Sequence, residues 1–181
     1  MGVHEDIEKV LISEDVILHR IKEIAGEILQ KEGEQDLVIV TLLKGAFVFA
    51  ADLFRKMPVK LDIECINVAS YHGGTESSGE VQFLDRCLPN VSGKKVIIVD
   101  DILDTGRTLK AVSEAITQQG AQSVSTCVLL AKQKQRAVEQ EADYIGFTIG
   151  DEFVVGYGLD YKGKYRNLPY VGVLDASVYV S

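Results

Sequence analysis

Apolar residues fall along this chain in two rhythms, one helical and one continuous or alternating, and together they predict most of its elements. Ile17, Ile21, Ile24 and Ile28 recur at spacings of four, three and four, which puts them on one face of an amphipathic helix. Ser13 stands ahead of that run as an N-cap. LVIVTLL over 37–43 is apolar without a break, the pattern of a strand covered on both faces. AFVFAADLFRK follows Lys44-Gly45 and predicts a helix that Pro58 stops. VKLDIECINV over 59–68 alternates, which predicts a half-buried strand. KVIIV over 95–99 predicts a second buried strand, and a helix opening near Arg107 runs to a stop at Gly120. SVSTCVLLA over 123–131 is a third strand, with shorter ones at DYIGFTI (143–149) and FVVGYG (153–158). After Asp160 the helical periodicity fades, and that segment is expected to fold back over one end of the sheet.

Strands alternating with helices imply an α/β protein built on a mainly parallel, twisted sheet flanked by helices. Its 181 residues suit one domain with a sizeable core. SYHGGTESSGE over 70–80 interrupts the pattern with a Gly- and Ser-rich stretch, longer than a hairpin needs.

Charge and composition narrow the classes. A net charge of −8 argues against a broad footprint for nucleic acid. No apolar run approaches the about 20 residues of a membrane helix, and the acidic start MGVHEDIEK lacks the features of a secretion signal. A cytoplasmic protein is the expectation. The three cysteines show no paired spacing, and Cys65 and Cys127, in strand-like stretches, are expected to be small core residues. The three histidines are scattered, so no zinc site is expected.

The chemistry concentrates in VIIVDDILDTGRTL, from Val96 to Leu109. In open parallel sheets, ligands collect at the carboxyl ends of the strands. Asp100 to Thr108 occupies such an end, just before a helix N-terminus whose N–H groups and dipole favour an anion. Gly106 allows close backbone approach, and Thr105 and Thr108 add hydroxyl donors. The turn is too short for GxxxxGK[ST], and no GxGxxG is present, so one compact phosphate monoester is the better fit. Taken alone, Asp-Thr-Gly is equally well a helix-starting turn. The adjacent acids Asp100 and Asp101 change the balance, because they can hold vicinal hydroxyls directly or through Mg²⁺. A sugar bearing a terminal phosphate would keep the acids apart from the anion.

That stretch resembles the phosphoribosyl pyrophosphate (PRPP) signature of the type I phosphoribosyltransferases. LLKGAF (42–47), SYHGGTESSGE (70–80), LLAK (129–132) and DEFVVGYGLDYKGKYRNLPYVGVL (151–174) resemble the hypoxanthine-guanine branch, in the family's order. The resemblance implies the type I fold: a single domain over 1–181, a core over about 37–150, and a small hood from the N-terminal segment and about 151–181. It implies that Asp100 and Asp101 hold the ribose hydroxyls and magnesium, with Asp rather than the more frequent Glu at the first position. Asp104 becomes the general base/acid beside purine N7, and Thr105, Gly106, Arg107 and Thr108 the 5′-phosphate cradle. Lys44 and Gly45 match the pyrophosphate loop, whose Leu43–Lys44 peptide is often cis in the family, with Arg166 as a further pyrophosphate contact. Lys132 matches the donor to the purine 6-oxo group, Phe153 the aromatic stacked on the base, and Val154 the main chain reading its edge. Asp160 matches a further magnesium ligand. Ser70-Tyr71 opens the loop that closes over substrates, and His72 is given no role. Lys134 and Arg136 are read as a solvated basic loop.

The implied reaction joins hypoxanthine or guanine to PRPP, giving the nucleoside monophosphate and pyrophosphate, with xanthine open as a side substrate. Substrates are the implied partners, with no nucleic acid or membrane, in a homodimer or homotetramer. A PRPP-sensing nucleic-acid regulator on the same fold is disfavoured by the acidic charge. Pyrimidine and adenine phosphoribosyltransferases are disfavoured by the Lys132 and Phe153–Asp160 match.

Overall fold

The computed structural model describes residues 4–70 and 80–180. In chain order the elements begin with β1 (Ile7–Ile12), α1 (Glu14–Glu32), β2 (Leu37–Leu43), α2 (Phe47–Phe54) and β3 (Leu61–Ser70). They continue with β4 (Val81–Phe83), β5 (Lys95–Leu103), α3 (Arg107–Gln118), β6 (Ser123–Lys132) and β7 (Tyr144–Ile149). β8 (Val154–Val155), β9 (Val171–Leu174) and α4 (Ala176–Tyr179) complete the described chain.

Helix α1 forms where the isoleucine spacing places it. Ile17, Ile21, Ile24 and Ile28 are fully buried, and Ser13 Oγ accepts the Val16 N–H at 3.4 Å. Gly33, at a φ of +80°, ends the helix by donating its N–H to Leu29 O.

A six-stranded sheet runs in the order β4-β3-β2-β5-β6-β7, parallel except for β4. The unbroken apolar strands feed both of its faces. Ile39, Ile97 and Leu129 pack under α1 and α2, in one cluster with Ile24, Phe49 and Leu53. Their neighbours Val38, Val96, Ile98 and Val128 pack under α3 against Leu109, Val112 and Ile116. The expected mainly parallel sheet flanked by helices is therefore the architecture observed.

Sheet order also makes a crevice. β2 runs outward to β3 and β5 outward to β6, so the winding reverses between β2 and β5. Their ladder ends at Thr41↔Val99, after which β2 stays with β3 through Leu43↔Asn67. β5 continues with β6 through Leu103↔Ala131. The two strands part at their carboxyl ends, and a ligand cleft belongs there.

A second sheet, β1-β9-β8, is built from the chain's two ends. β1 was not anticipated, because IEKVLI (7–12) offers too short an alternation to stand out. FVVGYG yields only the two residues of β8, because Gly156, at a φ of +94°, turns the chain away. Two further expectations fail. Strand β5 runs four residues past KVIIV and carries the acids within it, since pairing with β6 tolerates them. Cys65 is exposed, not core: β4 covers β3 only over Val68–Ser70, leaving that part of β3 as a sheet edge. Cys127 is buried as expected.

Candidate active site

The cleft opened by β2 and β5 has a volume of about 630 Å³. It gathers the loop 43–45, the acids of β5, the turn 104–108 and, from beyond β8, Asp160 and Arg166. Sequence segments more than a hundred residues apart thus meet at one point.

Its floor is the acid pair. Asp100 Oδ1 accepts the Asp101 N–H at 2.9 Å, and Asp101 Oδ1 accepts the Ile102 N–H at 2.7 Å. The carboxylates thereby serve main-chain donors at the point where β2 has left β5. Burial, then the neighbouring Asp101 charge, pushes the Asp100 carboxyl well above the ordinary range, and burial also raises that of Asp101. Two adjacent carboxylates held this way favour a hard cation or a row of hydroxyls as their partner.

One wall is made by close backbone approach. The Leu43–Lys44 peptide is cis. At Gly45, an added Cβ would lie 2.0 Å from Asp101 Oδ2, so any larger residue would force the carboxylate or the loop to move. Gly158, at a φ of +100°, presses on the same loop, where a Cβ would lie 2.3 Å from Gly45 O. Arg166 Nη1 donates to Gly158 O at 2.7 Å, and its Nη2 lies 3.3 Å from Asp160 Oδ1. Asp160 Oδ2 accepts the Gly163 N–H at 2.7 Å.

The far end is the turn Asp104–Thr108. Gly106, left-handed at a φ of +85°, is the N-cap of α3 and offers no capping side chain. No acid occupies the first turn of α3, unlike α1, which begins with Glu14 and Asp15. An anion would therefore meet the N–H groups and dipole of α3 without a competing carboxylate. Thr105 Oγ1 accepts the Arg107 N–H at 3.4 Å.

Asp104 lies beside two lysines. Lys132 Nζ is 3.8 Å from its Oδ2 and 3.4 Å from Asp151 Oδ1, while Lys134 forms an ion pair with its Oδ1. Lys132 thus stands at the Asp104 edge, though not in the cleft lining itself. Phe153 and Val154 also lie outside that lining. Phe153 is about one-third exposed and stacks on Tyr179, with ring centroids 4.8 Å apart. Its carbonyl accepts the Leu174 N–H at 2.9 Å, and buried Val154 pairs with Val173. Ser70 is the last residue of β3, while Tyr71 and His72 lie outside the described residues.

The reading of Lys134 and Arg136 as a solvated basic loop holds for the exposed Lys134 and fails for Arg136. Lys134 pairs with Asp104, and Arg136, 12% exposed at its side chain, donates to Lys132 O at 2.7 Å and Asp104 O at 3.2 Å. AKQKQR carries no periodicity that separates such a clamp from surface charge. Tyr157 was missed as well; its hydroxyl donates to Asp52 and ties the turn after β8 to α2.

A profile of the phosphoribosyl transferase domain matches residues 12–162. A hypoxanthine-guanine phosphoribosyltransferase of Staphylococcus epidermidis is 45% identical over 177 residues, 98% of this chain and 99% of that protein. One of Lactococcus lactis is 49% identical over 174 residues, covering 96% of this chain and 94% of that protein. The crystal structure of a hypoxanthine phosphoribosyltransferase from Staphylococcus aureus superposes with a TM-score of 0.92 at 42% identity. That match covers 98% of this chain and 97% of the other.

Proposed function

The chain belongs to the phosphoribosyltransferase family, and on that premise we infer how its cleft performs the family's reaction. It is a purine-salvage transferase of the hypoxanthine-guanine type. It converts a 6-oxopurine and PRPP into a nucleoside 5′-monophosphate and pyrophosphate.

The observation that carries the residue assignment is that one cleft gathers the loop 43–45, the acid pair and the anion turn, with Gly45 against Asp101 and the turn directly after β5. PRPP offers one group to each: pyrophosphate, ribose hydroxyls and 5′-phosphate. In this reading Thr105, Gly106, Arg107 and Thr108 hold the 5′-phosphate, and Asp100 and Asp101 the ribose hydroxyls. Lys44, Gly45 and Arg166 face the pyrophosphate. Asp104, next to the anion turn and beside Lys132, accepts or steadies a purine proton, while Lys132 donates to the 6-oxo group. Phe153 stacks on the base and the Val154 main chain reads its edge, with Ser70-Tyr71 opening the closing loop. The purine nitrogen attacks the anomeric carbon, and the bond to pyrophosphate breaks as positive charge develops on the ribose. Asp100 and Asp101 lie where that charge forms.

Magnesium fits the donor set. The carboxylates of Asp100, Asp101 and Asp160 face the cleft, and they are the hard oxygen donors Mg²⁺ prefers. Among the described residues no three acidic, histidine or cysteine side chains converge as a metal cage. These acids would therefore share the ion with substrate oxygens, as Mg²⁺ commonly does. When bound, it neutralises charge on the leaving pyrophosphate.

A single domain over 1–181, with a core of about 37–150 and a hood from the N-terminal segment and about 151–181, is supported by the separate β1-β9-β8 sheet. We propose a homodimer or homotetramer as its assembly. No described helix is long and apolar enough to cross a membrane, and we place the enzyme in the cytoplasm, with no nucleic-acid partner.

Calorimetry of PRPP binding tests the assignment. With Mg²⁺ present PRPP should bind, and Asp101→Asn should weaken it. Equal binding by wild type and Asp101→Asn would overturn the ribose and metal roles.

A further inference from the structure

The last rung of the β5–β6 ladder is Leu103↔Ala131. β5 ends there and Asp104 follows it in the turn, whereas Lys132 is the last residue of β6 and stays paired with Ile149 of β7. Asp104 and Lys132 are the two side chains assigned to the purine, and they lie just beyond the point where sheet pairing holds β5 to β6. Arg136 occupies the place of the missing rung. Its Nη1 donates to Lys132 O at 2.7 Å and to Asp104 O at 3.2 Å, bridging the two strands through one nitrogen.

The rest of the guanidinium is fixed as well. Its Nε lies 3.2 Å from Glu141 Oε1 and its Nη2 3.4 Å from Glu141 Oε2, a two-pronged grip that a lysine could not reproduce. One residue later, the Ala137 N–H donates to Thr105 O at 2.9 Å, adding a main-chain link to the anion turn. Arg136 does not line the cleft. Whatever it does for the reaction, it does through Asp104 and Lys132.

We propose that Arg136, oriented by Glu141, is a positioning residue that sets the spacing between Asp104 and Lys132 and so the register of the purine against the ribose. The proposal rests on the purine-side roles given to those two residues. Rate depends steeply on such spacing: a displacement of about 1 Å costs on the order of 10²-fold. PRPP, held by the acid pair, the phosphate turn and the loop 43–45, should feel the change far less.

Steady-state kinetics with hypoxanthine and PRPP test it on wild type, Arg136→Met, Arg136→Lys and Glu141→Gln. Arg136→Met should lower kcat/KM for the purine roughly 10²-fold while KM for PRPP moves by less than about threefold. Arg136→Lys should recover part of the loss, since an ammonium can still reach a carbonyl but cannot hold the Glu141 fork. Glu141→Gln alters an exposed side chain and leaves both carbonyl contacts in place; a smaller loss confined to the purine is expected. Should Arg136→Met not fold, Glu141→Gln and Arg136→Lys decide. Unchanged purine kcat/KM in those two, or equal losses for purine and PRPP, overturns the proposal. If wild type itself forms no nucleotide, the functional reading fails instead.

Discussion

Gly45 and Asp101 meet where no second side chain fits, and that contact gives one of the sharpest single-residue tests. Gly45→Ala would put a methyl group 2.0 Å from Asp101 Oδ2, so the carboxylate or the loop must move. KM for PRPP should rise by roughly 10²-fold with the thermal transition little changed; an unchanged KM would mean the contact is idle. Asp104→Asn probes the other end. It should lower turnover by about 10²–10⁴-fold while leaving PRPP binding near wild type, and unaltered turnover would contradict the role given to Asp104. The aspartates and Gly45 were legible in the sequence because motif order names them. Arg136 and Tyr157 were not: Arg136 acts through two main-chain carbonyls while gripping the Glu141 carboxylate, and Tyr157 through Asp52, 105 residues away. No local pattern encodes such contacts.

Among elements, α1 was the most legible, since four isoleucines at helical spacing all reach zero exposure. Ile24→Ala should destabilise the protein by about 2–5 kcal/mol through lost burial and a cavity. Thermal unfolding measures that, and a shift within error of wild type would place Ile24 outside the core. The short strands β1 and β4 were hidden because pairing rather than their own alternation defines them, whereas β8 falls within the strand expected at FVVGYG. The β3–β4 edge carries a pH signature. Asp85 accepts the Asn67 main-chain N–H at 2.7 Å and its amide at 3.1 Å. The main-chain bond first, and the amide second, hold the Asp85 carboxyl below the ordinary range. A depressed carboxylate contributes stability above its unfolded pKa, and that contribution disappears as pH falls through the folded one. An NMR titration of the Asn67 amide should therefore show a midpoint below that of a free aspartate. A midpoint at or above it would contradict the pairing.

At the scale of the whole molecule, the site is a consequence of sheet order. The winding reverses between β2 and β5, the strands part after Thr41↔Val99, and the acids of β5 face the gap. Alternating strands and helices made the parallel sheet readable, but not the order of its strands, because five parallel strands can be wound in several ways. The second sheet then brings Asp160, Gly158 and Arg166 against the loop after β2. In residues 151–174 only the family resemblance, which groups Arg166 with Lys44 and Gly45, implies that approach, and no local pattern does. The central claim is that this cleft transfers a phosphoribosyl group to 6-oxopurines, and nucleotide formation tests it most directly. Purified protein would be given PRPP and Mg²⁺ with hypoxanthine, guanine, xanthine, adenine or uracil in turn. Hypoxanthine and guanine should each yield their 5′-monophosphate with one pyrophosphate released per nucleotide, and adenine and uracil should yield none. Absence of product from every 6-oxopurine would contradict the account.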